Sequence, residues 1–130
     1  MPARDRTQSD QRIVLAAEPK EVEAVVAVAP DLDIVVAAPA DLTRRTVDLR
    51  SRVAVWAGLD PDAGLRAMHA LRAARSDARL LYVTPAEAER ERLAALEAGV
   101  DDVASRPMST SELVGRMRLL LKRARPARRT

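Results

Sequence analysis

The chain has 130 residues, enough for one compact domain with its own core, and carries a formal net charge of +3 with 48% hydrophobic residues. The lack of cysteine excludes disulfides, thiolate metal sites and a cysteine nucleophile. Aromatics are 2% and Phe is absent, so the core must be built from Val, Leu, Ala and a few Met. The opening, MPARDRTQSDQ, has no apolar segment of the signal-peptide kind, and no apolar run approaches the roughly 18 residues of a membrane span. The expectation is a cytoplasmic protein with no membrane partner. Its charge is unevenly spread. From Arg116 onward every charged residue is basic, Arg116, Arg118, Lys122, Arg123, Arg125, Arg128 and Arg129, which leaves about −4 on the preceding 115 residues.

Residues 1–11 are polar and are expected to be disordered. Arg12–Ala17 is a short apolar run, read as a buried strand. Val22, Val25, Val26 and Ala29 recur at helical spacing, so an amphipathic helix follows and Pro30 ends it. Asp33–Ala38 is a second strand. Asp41–Leu49 is a short helix whose best apolar pair is Leu42 and Leu49, and Val53–Ala57 is a third strand. Asp60 caps the next helix, Pro61 takes its first turn, and Leu65, Met68 and Leu71 give it an apolar face. His69, the only histidine, has no partner cluster and reads as structural or exposed. Arg79–Thr84 is the fourth strand. Thr84-Pro85-Ala86-Glu87 has the pattern of a capping box, with Leu93, Leu96 and Val100 on the face of the helix it would start and Gly99 at its end. Asp101–Ser105 is the fifth strand. Ser109 and Glu112 form a second capping box, and Leu113, Met117, Leu120 and Leu121 are the buried stripe of the last helix.

Five strands alternating with five helices imply an α/β fold of three layers, a parallel sheet covered on both faces. Five such units fit the flavodoxin-like strand order 2-1-3-4-5. The domain is expected over 12–123, with 124–130 as a basic tail or linker. No phosphate-cradling glycine loop, nucleophile elbow or zinc-protease motif is present, so an enzyme is not expected.

The stretch from Leu80 to Lys122, LLYVTPAEAERERLAALEAGVDDVASRPMSTSELVGRMRLLLK, resembles the C-terminal half of a response-regulator receiver domain, the phosphorylation switch of bacterial two-component signalling. The shared features are a strand ending in Thr84, a helix ending in Leu96-Glu97-Ala98-Gly99, then Val100-Asp101-Asp102, and a strand ending in Ser105-Arg106-Pro107. The resemblance implies the CheY-like fold and an active site at the carboxyl ends of the strands. There the family holds Mg²⁺ on two acids, phosphorylates an aspartate, and uses a Thr or Ser and a Lys beside a cis-proline. Matched residue by residue, Ala16 and Ala17 stand at the acidic pair, and Trp56 or Ala57, depending on the anchor chosen, at the phosphoacceptor. Thr84 is kept, Arg106 replaces the Lys, and Pro107 stands at the structural proline. Mg²⁺ wants carboxylate oxygens, and an acyl phosphate needs a carboxylate nucleophile. The expectation is a pseudo-receiver without bound Mg²⁺ or any other cofactor.

In winged-helix response regulators the fourth helix, fifth strand and fifth helix make a dimer face. Arg92, Asp101, Asp102, Glu112, Arg116 and Arg123 resemble residues that cross it as salt bridges. They imply a protein partner or a second copy, or else form a solvated charged face. Two alternatives stay open: an atypical regulator phosphorylated through the displaced acids Glu18, Asp60 or Asp62, and a DNA-associated regulator using the basic tail.

Overall fold

The computed structural model describes residues 11–57, 60–85 and 88–124. The readings of a disordered N-terminus and of the tail fall almost wholly outside these residues. Five strands, β1 (Arg12–Ala16), β2 (Asp33–Val36), β3 (Val53–Ala57), β4 (Arg79–Thr84) and β5 (Asp102–Ser105), alternate with five helices. The helices are α1 (Pro19–Val28), α2 (Leu42–Leu49, after a 3₁₀ turn at Pro39–Asp41), α3 (Pro61–Ala73), α4 (Glu89–Ala98) and α5 (Thr110–Arg123). The strands form one parallel sheet in the order β2-β1-β3-β4-β5, as expected.

Both faces of the sheet are covered, which is why β1, β3 and β4 read as unbroken apolar runs rather than alternating ones. Ile13, Leu15, Val53, Val55, Leu81 and Val83 point to one side, against Val25 of α1 and Leu113, Met117 and Leu120 of α5. Val14, Ala54, Trp56, Leu80 and Tyr82 point to the other, against Leu42 of α2, Met68 and Leu71 of α3, and Ala95 and Ala98 of α4. Among the described residues no helix is long and apolar enough to cross a membrane.

Two predicted caps are present. Asp60 accepts a hydrogen bond from the Ala63 N–H at 3.3 Å, and Ser109 Oγ accepts one from the Glu112 N–H at 3.0 Å. The Glu112 side chain, however, turns to Arg116. Gly99 ends α4 with φ of 99°, as its position suggested.

Five expectations need correction. α4 starts at Glu89, not at Pro85, because Thr84 is still the last residue of β4 and is fully buried; Ala86 and Glu87 lie outside the described residues. α4 turns Ala95 and Ala98 to the sheet and leaves Leu93 and Leu96 each 53% exposed. The sheet beneath it already carries the large side chains Tyr82, Leu80 and Trp56, so small residues let the helix approach. In α1, Val26 faces solvent while Val25 and Ala29 are buried. β2 ends at Val36, and β5 begins at Asp102.

Candidate functional site

At the carboxyl ends of the strands the structure places Ala16 opposite Trp56, and Trp56 opposite Tyr82. Ala16, Trp56 and Ala57 are all fully buried. Trp56 lies against Gly64 in the first turn of α3, so closely that a Cβ added there would enter the indole ring. Its Nε1 has no hydrogen-bond partner among the described residues. Ala57 packs on the α1–α5 side, with Ala17 partly buried beside it. Whether Trp56 or Ala57 is matched to the family's aspartate, neither offers a side-chain oxygen. These positions do not fit a hard divalent cation that is held by oxygen ligands. Among the described residues, no three His, Cys, Asp or Glu side chains form a group that could hold a metal.

The polar positions turn to protein partners. Thr84 donates to Ser105 Oγ at 3.1 Å and to the Ala104 carbonyl at 3.4 Å. Arg106, preceding a cis bond to Pro107, forms an ion pair with Glu21 of α1. That partner lies 85 residues away, so no local pattern could have revealed it. Of the displaced acids, Asp60 is occupied as a cap, Asp62 is exposed in the first turn of α3, and Glu18 is exposed ahead of α1 without capping it.

Tyr82, just below this end of the sheet, donates its O–H to the Pro61 carbonyl at 2.9 Å. Burial, reinforced by the charges of Glu91, Asp62 and Asp60, pushes its phenol up to about 12. The phenolate is thus disfavoured in the folded state. Stability is full below pH 10 and falls as pH rises from 10 toward 12, by on the order of 1 kcal/mol once solvent screening is allowed for. As Tyr82 is the only tyrosine, ultraviolet titration of its ionisation should give a midpoint near 12. A midpoint near the ordinary value of 10 would contradict the burial described here.

The second candidate region is the face formed by α4, β5 and α5. Arg116 donates to both oxygens of Asp102, at 3.0 and 2.8 Å, and to Glu112 at 3.1 and 3.2 Å. Its guanidinium is held above its ordinary value, chiefly by the hydrogen bond to Asp102. Asp101 points to the amino end of the sheet, where it accepts from Arg72 at 3.0 Å, Arg79 at 3.0 Å and the Leu80 N–H at 2.7 Å. Four of the six residues matched to cross-subunit bridges are therefore paired within the chain. Arg92 and Arg123 are exposed and form no ion pair among the described residues. The helical spacing places Leu93 and Leu96 on the packing face of α4 and leaves Leu119 out of the buried stripe of α5. In the structure Leu93, Leu96 and, on α5, Leu119 at 45% exposure all face out. A groove of about 490 Å³ runs beside Gly115, Arg116 and Leu119. Another of about 430 Å³ lies along Leu93 between Glu89 and Glu97.

No family model matches the sequence. The chain is 40% identical over 63 residues to the response regulator MprA of Mycobacterium avium (strain 104), a match covering 48% of this chain and 28% of that protein. The same identity and length are found with MprA of Mycobacterium tuberculosis (strain H37Rv). The match thus takes in little more than a quarter of these relatives. Among solved structures, a Francisella response-regulator receiver domain superposes with a TM-score of 0.75 at 19% identity, covering 87% of this chain and 98% of that one. A CheY-like receiver domain from Methanospirillum hungatei JF-1 gives 0.75 at 14% identity, covering 87% and 94%. With the parallel order β2-β1-β3-β4-β5, these comparisons show that the chain has the CheY-like fold of response-regulator receiver domains and is similar in sequence to response regulators.

Proposed function

We propose that this chain is a pseudo-receiver of a two-component signalling system, a module that works through protein contact without phosphotransfer or Mg²⁺. The observation that carries this reading is the closed carboxyl end of the sheet. Methyl groups and an indole occupy the positions that would need carboxylates, and Arg106 is committed to Glu21. The partner we infer is a second copy, docked through α4, β5 and α5. On α4, Leu93 and Leu96 supply exposed apolar area on the helix that carries Glu89, Arg92 and Glu97, and on α5 Leu119 lies in a second groove with Arg116 and Arg123. A patch carrying both signs around an apolar centre can pair with itself across a two-fold axis.

Light scattering and intact mass test the two halves of the reading. With acetyl phosphate and Mg²⁺, no adduct of about 80 Da, one phosphoryl group, is expected. Self-association should rise with concentration and be lost in an Arg92→Glu, Leu93→Asp variant. An adduct sinks the phosphate-free reading and returns attention to Glu18, Asp60 and Asp62. Association that survives the double substitution sinks the assignment of the face.

A further inference from the structure

The amino end of the sheet gathers arginines from several loops. Arg79 opens β4 and donates its N–H to the carbonyl of Arg52, just ahead of β3, at 2.8 Å. Both side chains reach the last turn of α5: Arg52 donates to the Ala124 carbonyl, and Arg79 to the Arg123 carbonyl at 3.3 Å. The basic end of α5, with Lys122 and Arg123 exposed, is thereby fixed on this edge. Arg72 and Arg79 share the carboxylate of Asp101, with Asp77 in the same groove, so the excess of positive charge on this edge rests on Arg50, Arg75, Lys122 and Arg123.

Two more arginines stand out by their backbone. Arg50, at the end of α2, has φ of 52°, and Arg75, just after α3, has φ of 61°. They are the only non-glycine residues with positive φ among the described residues. At the corresponding end of α4 the residue is Gly99. Left-handed backbone favours glycine and is strained for an arginine. A cation near a helix C-terminus is favourable in itself, but a position one turn earlier would supply it without that strain. Strain retained at two neighbouring loops marks a place where the side chain is needed. Both arginines are exposed, and neither forms an ion pair among the described residues.

We propose that this edge binds the phosphate backbone of duplex nucleic acid, with Arg50, Arg75 and Arg123 as the contacting cations and Arg52 and Arg79 holding α5 in place. This goes beyond the protein-contact role, which uses α4, β5 and α5 and shares only Arg123 with this edge. The aromatic residues decide between anionic partners. The chain has one Trp, one Tyr and no Phe, and both rings are fully buried. Nothing aromatic is left to stack on single-stranded bases or to sit at a lipid interface. Regularly spaced duplex phosphates need only cations.

The test is fluorescence anisotropy of the full 130-residue chain with a labelled mixed-sequence duplex across a salt series. Wild type should bind with affinity that falls steeply with salt. An Arg50→Gly, Arg75→Gly variant should bind about tenfold more weakly, with a salt slope shallower by about two, as two phosphate contacts are lost. Glycine suits both backbone positions, so the unfolding temperature should hold or rise, which separates lost binding from lost folding. Equal binding by the double variant overturns the proposal and leaves Arg125, Arg128 and Arg129 to explain any affinity. Absence of salt-sensitive binding by wild type overturns it as well. So does a preference for phosphatidylserine vesicles over the duplex with the same dependence on Arg50 and Arg75.

Discussion

Replacing Trp56 with alanine should cost about 3–5 kcal/mol, measured as the shift in a urea unfolding curve followed by far-ultraviolet circular dichroism. Trp56 is the largest fully buried side chain and packs in the layer that holds Met68, Leu71 and Tyr82. Its deletion leaves a cavity beside Gly64, whose lack of a Cβ cannot fill the space. Domains of this kind hold about 5–15 kcal/mol in total, so the loss is a large share. The same contact can be probed from the helix side. A Gly64→Ala substitution drives a methyl into the indole and should cost about 1–3 kcal/mol through overpacking. A loss below about 1 kcal/mol for Trp56→Ala, far under the usual cost of truncating a buried Trp, would mean that the indole does not seal the strand ends.

Replacing Asp101 with alanine should cost about 1–3 kcal/mol, although the residue lies in an exposed loop. Its carboxylate takes three donors at once: the guanidiniums of Arg72 and Arg79 and the part-buried Leu80 N–H. Truncation leaves that N–H without its acceptor and two nearby cations without their anion. An Asp101→Asn variant keeps one acceptor oxygen and should fall between alanine and wild type. The contrast is Asp31, exposed and paired with Arg118, whose hydrogen bond holds its carboxyl below the usual carboxylate range. A solvated pair of that kind is worth little, so Asp31→Ala should leave the thermal midpoint unchanged. Equal effects at both sites would refute the role given to Asp101.

These cases show what the sequence could and could not reveal. The strands were legible because burial on both faces makes each a continuous apolar run. α3 and α5 were legible because Asp60 and Ser109 signal their starts within three residues of the group they cap. α4 was misread for a physical reason. Hydrophobic periodicity ranks leucine above alanine, whereas packing against bulky sheet residues selects Ala95 and Ala98 and turns Leu93 and Leu96 outward. The carboxyl-end positions could be matched by their place in the chain. What fills them depends on contacts between separate elements, distant in the chain for Arg106 with Glu21 and consecutive for Trp56 with Gly64. Asp101 was matched by position to a surface bridge, but its nearest donors come from α3 and β4, and only the fold brings them together.

Trp56 and Tyr82 are cross-strand neighbours on the same side of the sheet. Every aromatic chromophore of the chain therefore sits in one of its two packing layers. Tryptophan emission and near-ultraviolet dichroism report on the contacts of α2, α3 and α4, and are blind to the opposite layer, where α1, α5 and the Arg106–Glu21 pair lie. Far-ultraviolet dichroism sees the helices of both layers. The two signals thus sample different halves of one molecule, and comparing their unfolding midpoints is a built-in check on whether the halves come apart together.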